Sequence, residues 1–241
     1  MLERYLAIRQ MYPEWFRNLD VEDKAISEII DSGYLFPLPE RDDLGRRVVF
    51  SIAQKFDPYK YSSDHMAKVH SIAVESLMDD EENQIRGYTY INDESGLSMG
   101  HLSLWSLTDM RNMSRCVQYS TPMRHKSTHF INVPSFASKM FEFFSSLLND
   151  KLKKRITVHK DVEDLKKHID IRILPKEYGG TVPMADMIRE YKRKLSGMRE
   201  SLLALDDMEI EVDSKAYKSS TRPADDDTLG IAGSFRKLEV D

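Results

Sequence analysis

The sequence predicts an α/β fold with a mixed, largely parallel sheet, and three observations carry that expectation. Short β-branched runs alternate along the chain with longer stretches of helical periodicity, the pattern of strands joined by helical crossovers rather than by hairpins. Hydrophobic residues make up 41% of the 241 residues and charged ones 31%, enough apolar side chain for a sizeable core. A single cysteine, Cys116, excludes an intramolecular disulfide framework and a thiolate zinc cluster.

Each element has its own signal. Leu2, Tyr5, Leu6, Met11 and Tyr12 recur near helical spacing, giving a first helix to about Tyr12. It starts without an N-cap, which reads either as a missing upstream segment or as a frayed terminal helix. Residues 21–31 form a second helix, stopped by Gly33. After Gly45-Arg46-Arg47 the β-branched run 48–52 is a strand, and Asp64 caps a helix to about Leu77. Residues 85–91 read as a strand and 92–96 as a turn. Residues 99–118 are helical, and 129–133 form a strand closed by Pro134. One long amphipathic helix is expected over 135–154, then a short strand at 155–159 and a short helix at 161–168. Ile173-Leu174-Pro175 and Gly179-Gly180 close the compact part, and 184–205 is the last helix. From Asp206 onward, acidic residues and the polar run 219–227 read as a flexible tail.

Composition narrows the function. The formal charge of -5 and the pI of about 5.9 leave no global basic field for nucleic acid. The longest uncharged stretch, residues 95–108, is too short and too polar to span a bilayer. No apolar h-region marks secretion, so a cytoplasmic location is expected. Neither phosphate-binding glycine loop occurs and no H-E-x-x-H exists; no cofactor and no metal are expected.

Gly96-Leu97-Ser98-Met99-Gly100 fits the G-x-S-x-G nucleophile elbow, and His129, His159 and His168 follow with Asp161 and Asp170. A serine esterase using Ser98 is therefore the rival reading. Two features oppose it. Polar residues 92–95 separate Ile91 from Gly96, which reads as an ordinary turn rather than a strained one. Asp161 and His168 lie on one short helix, so neither can orient the other across a site.

The segment 135–155 is the most informative. On a helical wheel Phe136, Met140, Phe141, Phe143, Phe144, Leu147, Leu148 and Leu152 cover about half the circumference. The plain reading is a helix packed on the sheet. The functional reading is a flexible wall over an apolar cavity, since Phe and Met adapt to bulky ligands. Phe136, Met140, Phe141, Phe144 and Leu148 are then the lid-side contacts of an apolar ligand, with Ile91, Phe130 and Ile131 contributed by the strands. At 100° per residue, Lys151 and Arg155 fall on the apolar side as i, i+4 neighbours. Arg124 and Lys126, two apart on an extended stretch, share one face. The two basic pairs would make a local cationic basin suited to a phosphorylated headgroup.

These residues also carry a family likeness. Asp43-Leu44-Gly45-Arg46-Arg47-Val48, the run from Gly87 through Ser98 with His101, the run from Pro122 through Pro134, and Leu174-Pro175-Lys176-Glu177-Tyr178-Gly179-Gly180 occur in one order. Together they resemble the CRAL-TRIO lipid-binding domain of the tocopherol-transfer and retinaldehyde-binding type, and the ending Gly233 to Leu238 is similar to that of insect members. The resemblance implies a mixed, largely parallel sheet floored by helices, an apolar cavity under an amphipathic lid helix, and no catalysis. It implies a small hydrophobic lipid ligand, such as a tocopherol or a retinoid. It also implies transient peripheral docking on phosphatidylinositol bisphosphate through Arg124, Lys126, Lys151 and Arg155. Here Arg124 stands for Lys and Lys126 for Arg, and the second exchange loses bidentate geometry. A phosphoinositide-binding adaptor with an empty cavity is a further alternative. On this reading residues 1–33 are the remnant of an N-terminal helical region, 34–205 the lipid-binding domain with its C-terminal helix, and 206–241 the tail.

Overall fold

A computed structural model describes residues 2–211. Helices α1 (Leu2–Met11) and α2 (Pro13–Phe16) are joined by a single residue, with Pro13 preorganising the first turn of α2. Helix α3 (Lys24–Ser32) begins at Asp23, whose carboxylate accepts from the backbone N–H groups of Ala25 and Ile26.

Strand β1 (Leu35–Arg41) is an element that sequence periodicity passes over, because Pro37 and Pro39 read as breakers. It is tolerated because it is the sheet edge, pairing only with β2 (Arg47–Ile52). Helix α4 (Ser63–Met78) is capped by Ser62 and not by Asp64: the Ser62 hydroxyl accepts from His65 N–H, and His65 Nδ1 accepts from Ser62 N–H. Asp64 instead sits in the first turn and accepts from the Trp15 indole at 3.2 Å.

The expected strand from residue 85 begins later. Asp80 caps α5 (Glu81–Arg86), which takes Ile85 as an exposed helical residue, and β3 spans Tyr88–Asp93. The continuous helix expected over 99–118 is three pieces: α6 (Met99–Ser103), α7 (Leu107–Arg115) and a π-turn at Cys116–Ser120. The break falls at Ser106, which forms a capping box with Asp109. Strand β4 (His125–Ile131) starts earlier than the β-branched run suggests.

The long helix expected over 135–154 is also broken. A 3-10 turn at Ser135–Ala137 leads into α8 (Ser138–Ser146), and Asn149 caps a separate α9 (Asp150–Lys153) through Leu152 N–H. Strand β5 (Ile156–Val158), α10 (Val162–Leu165) and α11 (Met184–Ala204) complete the chain order.

The strands lie in sequence order, β1-β2-β3-β4-β5, with β1–β2 antiparallel and the other pairs parallel. Each parallel step needs a crossover, and right-handed crossovers in one direction put their helices on one sheet face. The main core joins Phe36, Val48, Phe50, Ile91 and Ile131 of the sheet to α3, α4 and α11, with Ile29, Ile72 and Leu195 almost fully buried.

The closing motif folds back onto the central turn. Tyr178 donates to Asp93 at 2.6 Å, and a Cβ at Gly180 would meet the Leu174 carbonyl oxygen at 1.7 Å, so no larger residue fits. Residues expected to begin the tail are engaged at their start: Asn18 N–H donates to Asp206 at 2.7 Å and Gln10 to the Ile210 carbonyl at 3.2 Å. The rest of the predicted tail, with Gly233 to Leu238, lies outside the described residues.

Candidate functional site

Two adjoining cavities of about 250 and 280 Å³ lie between the sheet and its crossover helices. His70, Met113, Phe130 and Phe144 line both. The first is walled by Tyr5, Ile8, Trp15 and Phe16 of α1–α2, by Ala67, Ser71 and Val74 of α4, and by Tyr88 and Tyr90 of β3. The second lies under α8, lined by Met140 and Phe141 from the helix and by Met66, Trp105 and Met110 from below. Neither is lined by a lysine or arginine among the described residues.

Strand alternation decides which residues reach the space. On β3, Tyr88, Tyr90 and Asn92 face the cavities, so Ile91 points to the opposite face and is buried in the main core. On β4, Thr128 and Phe130 face in, and Ile131 packs with Ile91 in that core. The expectation that Ile91 and Ile131 meet a ligand is therefore corrected by the period of two. Phe136 is corrected as well: it sits in the 3-10 turn before α8, 48% exposed, and lines neither cavity. The structure brings Phe130, Met140, Phe141, Phe144 and Leu148 together around the space, with the Phe130 and Phe141 rings edge to face at 5.0 Å. Helix α8 has no fully buried residue, as befits a lid rather than a core helix.

The contributions of α1, α2 and α4 are new relative to the sequence reading. Their apolar residues have ordinary helical spacing, and periodicity does not separate a cavity wall from a packed core. Only His70 and Trp15, large polar-tipped residues on apolar faces, hint at a lined space.

The polar groups in the wall are few. Tyr34 Oη lies 3.0 Å from His70 Nε2, and burial lowers the His70 pKa to about 4, so the ring is neutral. Ser51 donates to Asn92 Oδ1 at 2.7 Å. Glu94, at the end of β3, has its pKa raised to about 7, first by burial and then by neighbouring Asp93. Burial pushes Asp93 the same way, but hydrogen bonds from Tyr178, Asn132 and Ser95 outweigh it and hold Asp93 below its usual range.

Three of the four basic residues gather at one corner. A β-bulge between Tyr88/His125 and Thr89/Ser127 inserts Lys126, leaving Arg124 and Lys126 over Gly87. A Cβ at Gly87 would lie 3.0 Å from both Arg124 Cβ and Lys126 Cε and 2.1 Å from the Arg124 carbonyl oxygen. Arg155 donates to the His125 carbonyl between them. The i, i+4 relation expected for Lys151 and Arg155 is corrected: α9 ends at Lys153, and Arg155 leads into β5. Lys151 lies exposed on α9, beside cavity-lining Leu152. None of the four forms an ion pair among the described residues.

The apparent nucleophile elbow is a helix cap. His101 Nδ1 accepts from the Ser98 backbone N–H at 3.1 Å, which fixes Nε2 as the protonated nitrogen, and Nε2 donates to the carbonyls of Ala53 and Phe56. The imidazole is consumed in holding α6 against the 53–56 turn, and no carboxylate among the described residues orients it.

The CRAL/TRIO domain family model matches residues 31–180. Clavesin-1 of Xenopus laevis is 30% identical over 188 residues, 78% of this chain and 57% of its own length. An alpha-tocopherol transfer protein-like protein of Homo sapiens is 29% identical over 187 residues, 77% of this chain and 54% of its own. The chain thus spans little more than half the length of these relatives. The crystal structure of Sfh5 shares the fold, with a TM-score of 0.56 at 14% identity over 83% of this chain and 73% of that one. With the lidded apolar space, the closing motif and the matched segment in one chain, the protein belongs to the CRAL/TRIO domain family.

Proposed function

We propose that the protein is a cytoplasmic carrier that holds a small hydrophobic lipid beneath α8 and exchanges it at membranes bearing phosphatidylinositol bisphosphate. The observation that carries this reading is the pair of adjoining cavities under a lid with no fully buried residue, lined by no lysine or arginine among the described residues. The name of the tocopherol-transfer-like relative supports an apolar cargo. No helix among the described residues is long and apolar enough to cross a membrane, which fits peripheral docking.

The corner formed by Arg124, Lys126 and Arg155 supports the docking half. Three cations without acidic partners repel one another unless an anion joins them. His125 links this corner to the cargo space: its carbonyl accepts from Arg155 and its ring lines the first cavity. A phosphate group engaging Arg155 would compete with that carbonyl and loosen the wall.

Organic extraction of the purified chain and mass spectrometry of the extract should show a stoichiometric apolar lipid. Lys126→Ala with Arg155→Ala should weaken binding to bisphosphorylated phosphoinositide vesicles at least tenfold and leave the extracted lipid in place. Added salt should weaken the parent's vesicle binding. An extract without lipid, with vesicle binding intact, would make the protein an adaptor; a double variant that docks as well as the parent would reduce the corner to surface charge.

A further inference from the structure

The cavity under α8 contains an acidic side chain, Glu94. Glu94 lines it, yet its carboxylate has no hydrogen-bond donor and no basic partner among the described residues. Among the described residues, neither cavity wall holds a lysine or arginine. His70, which borders the same space, is kept neutral by burial. Two residues before Glu94 on β3, Asn92 also lines this cavity. Its Oδ1 accepts from Ser51 at 2.7 Å, and its amide hydrogens have no acceptor among the described residues. The cavity therefore offers one unanswered acidic group and one unanswered donor, two residues apart on one strand face, in a wall whose other polar side chains, Tyr34, Ser51, His70 and His101, are each hydrogen-bonded within the protein.

We infer that Glu94 and Asn92 form the polar end of the cargo site and select an uncharged lipid ending in a hydroxyl over lipids ending in a carboxylate or phosphate. A hydroxyl donates once and accepts at its lone pairs, so it can donate to Glu94 while accepting from Asn92. An anionic end would bring a second negative charge beside Glu94 and Asp93, away from water and without a cation. An ammonium end would answer Glu94 but set its hydrogens against those of Asn92. The raised affinity of Glu94 for its proton, to about 7, keeps part of the population as a neutral acid, which suits an uncharged ligand. This inference rests on the carrier reading and adds the chemistry of the cargo's polar end.

The test uses the full chain, stripped of endogenous lipid, and three radiolabelled probes with the same sixteen-carbon chain: hexadecanol, palmitic acid and hexadecylamine. At pH 7.5 hexadecanol should be retained at least tenfold more tightly than palmitic acid and more tightly than hexadecylamine. Glu94→Gln should raise palmitic acid binding at least tenfold, and Glu94→Leu should weaken hexadecanol. The comparison of probes on the parent chain stands even if a variant misfolds. Palmitic acid or hexadecylamine bound as tightly as hexadecanol would overturn the inference, as would a Glu94→Gln variant with the parent's ratio. Extraction of the unstripped chain separates the two levels of failure. A native extract rich in apolar lipid with no preference for hexadecanol overturns only the selectivity; an extract without lipid overturns the carrier reading and the selectivity with it.

Discussion

A single carboxyl group makes the stability of the empty protein depend on pH in a way that can be isolated. Glu94 holds its proton to about pH 7 when folded and to about 4.3 when unfolded. Its folded pKa is raised, so its stabilising contribution is full below about pH 4.3 and is lost as pH rises through 7. Buried His70 and His129, both lowered to about 4, act oppositely: they withdraw stability as pH falls below about 6.5. The difference between parent and Glu94→Gln removes the histidine effects. The variant should be more stable by about 1–3 kcal/mol at pH 8, and the gain should vanish near pH 4.5. Thermal unfolding of the lipid-free proteins at the two pH values measures it, and a gain that does not change with pH would refute the assignment. None of this was legible in the sequence, where Glu94 sits in a polar run with every mark of a solvated turn. Only the tertiary closure by Tyr178 and the lid turns that segment into a cavity wall. By contrast, spacing alone put Phe141 and Phe144 on the inward face of their helix, while the choice of a cavity wall over a packed core came from the Phe and Met content and the family resemblance.

At the scale of elements, the longer helices were legible, while the short α2 and α5 and helix continuity were not. The segment 135–154 reads as one helix because its apolar residues keep period through Leu147-Leu148-Asn149, yet Asn149 caps a new turn and the helix restarts. The same substitution of a cap for continuity occurs at Ser106. In both places a short polar side chain competes with the backbone for its own hydrogen bonds, and local pattern does not show which wins. The break matters for the lid. A lid of nine residues, Ser138–Ser146, is flanked by the 3-10 turn at Ser135–Ala137 on one side and the non-helical residues 147–149 on the other. Such a short helix is marginal alone and depends on what its apolar face covers. Replacing Phe141 and Phe144 by Asp puts two charges in the cavity wall, and should reduce retained lipid at least tenfold while the sheet and core stay folded. Mass spectrometry of the extract together with circular dichroism separates loss of cargo from loss of fold. Retained lipid in a folded double variant would show that α8 is not the wall. Removing the Asn149 cap by Asn149→Ala should cost about 1 kcal/mol and fall on α9. Exchange of backbone hydrogens, faster in residues 150–153 than in the core strands, would report it.

At the scale of the whole molecule, the N-terminal helices are built into the cargo space. Sequence spacing recognised a first helix but gave no reason to place it, and its reading as a remnant leaves it expendable. The structure gives it a buried ionic anchor. Arg9, 1% exposed, donates to Glu75 of α4 at 2.9 Å and lies 3.5 Å from Asp206, while Tyr5 donates to the same Glu75 at 2.8 Å. Burial raises the Glu75 pKa, and the Arg9 charge with the hydrogen bonds from Tyr5 and Arg9 pulls against that rise. One side chain thus joins α1, α4 and the turn after α11, while Tyr5 and Ile8 from the same helix wall the first cavity. Removing one partner of a buried pair leaves the other charge uncompensated, so Arg9→Ala should cost about 3–5 kcal/mol. Replacing both members, Arg9→Met with Glu75→Leu, should recover most of that loss, because no buried charge remains unpaired. Arg17, whose pair with Glu209 at 3.0 Å is on the surface, is the control and should cost under about 1 kcal/mol on Arg17→Ala. Denaturant unfolding of the three variants decides between two pictures. If Arg9→Ala costs no more than Arg17→Ala, the N-terminal helices merely rest against the domain. If the loss is large and the double replacement rescues it, α1 is a wall of the cavity held by charge. Cargo retention should then fall in Arg9→Ala and return in the rescued variant.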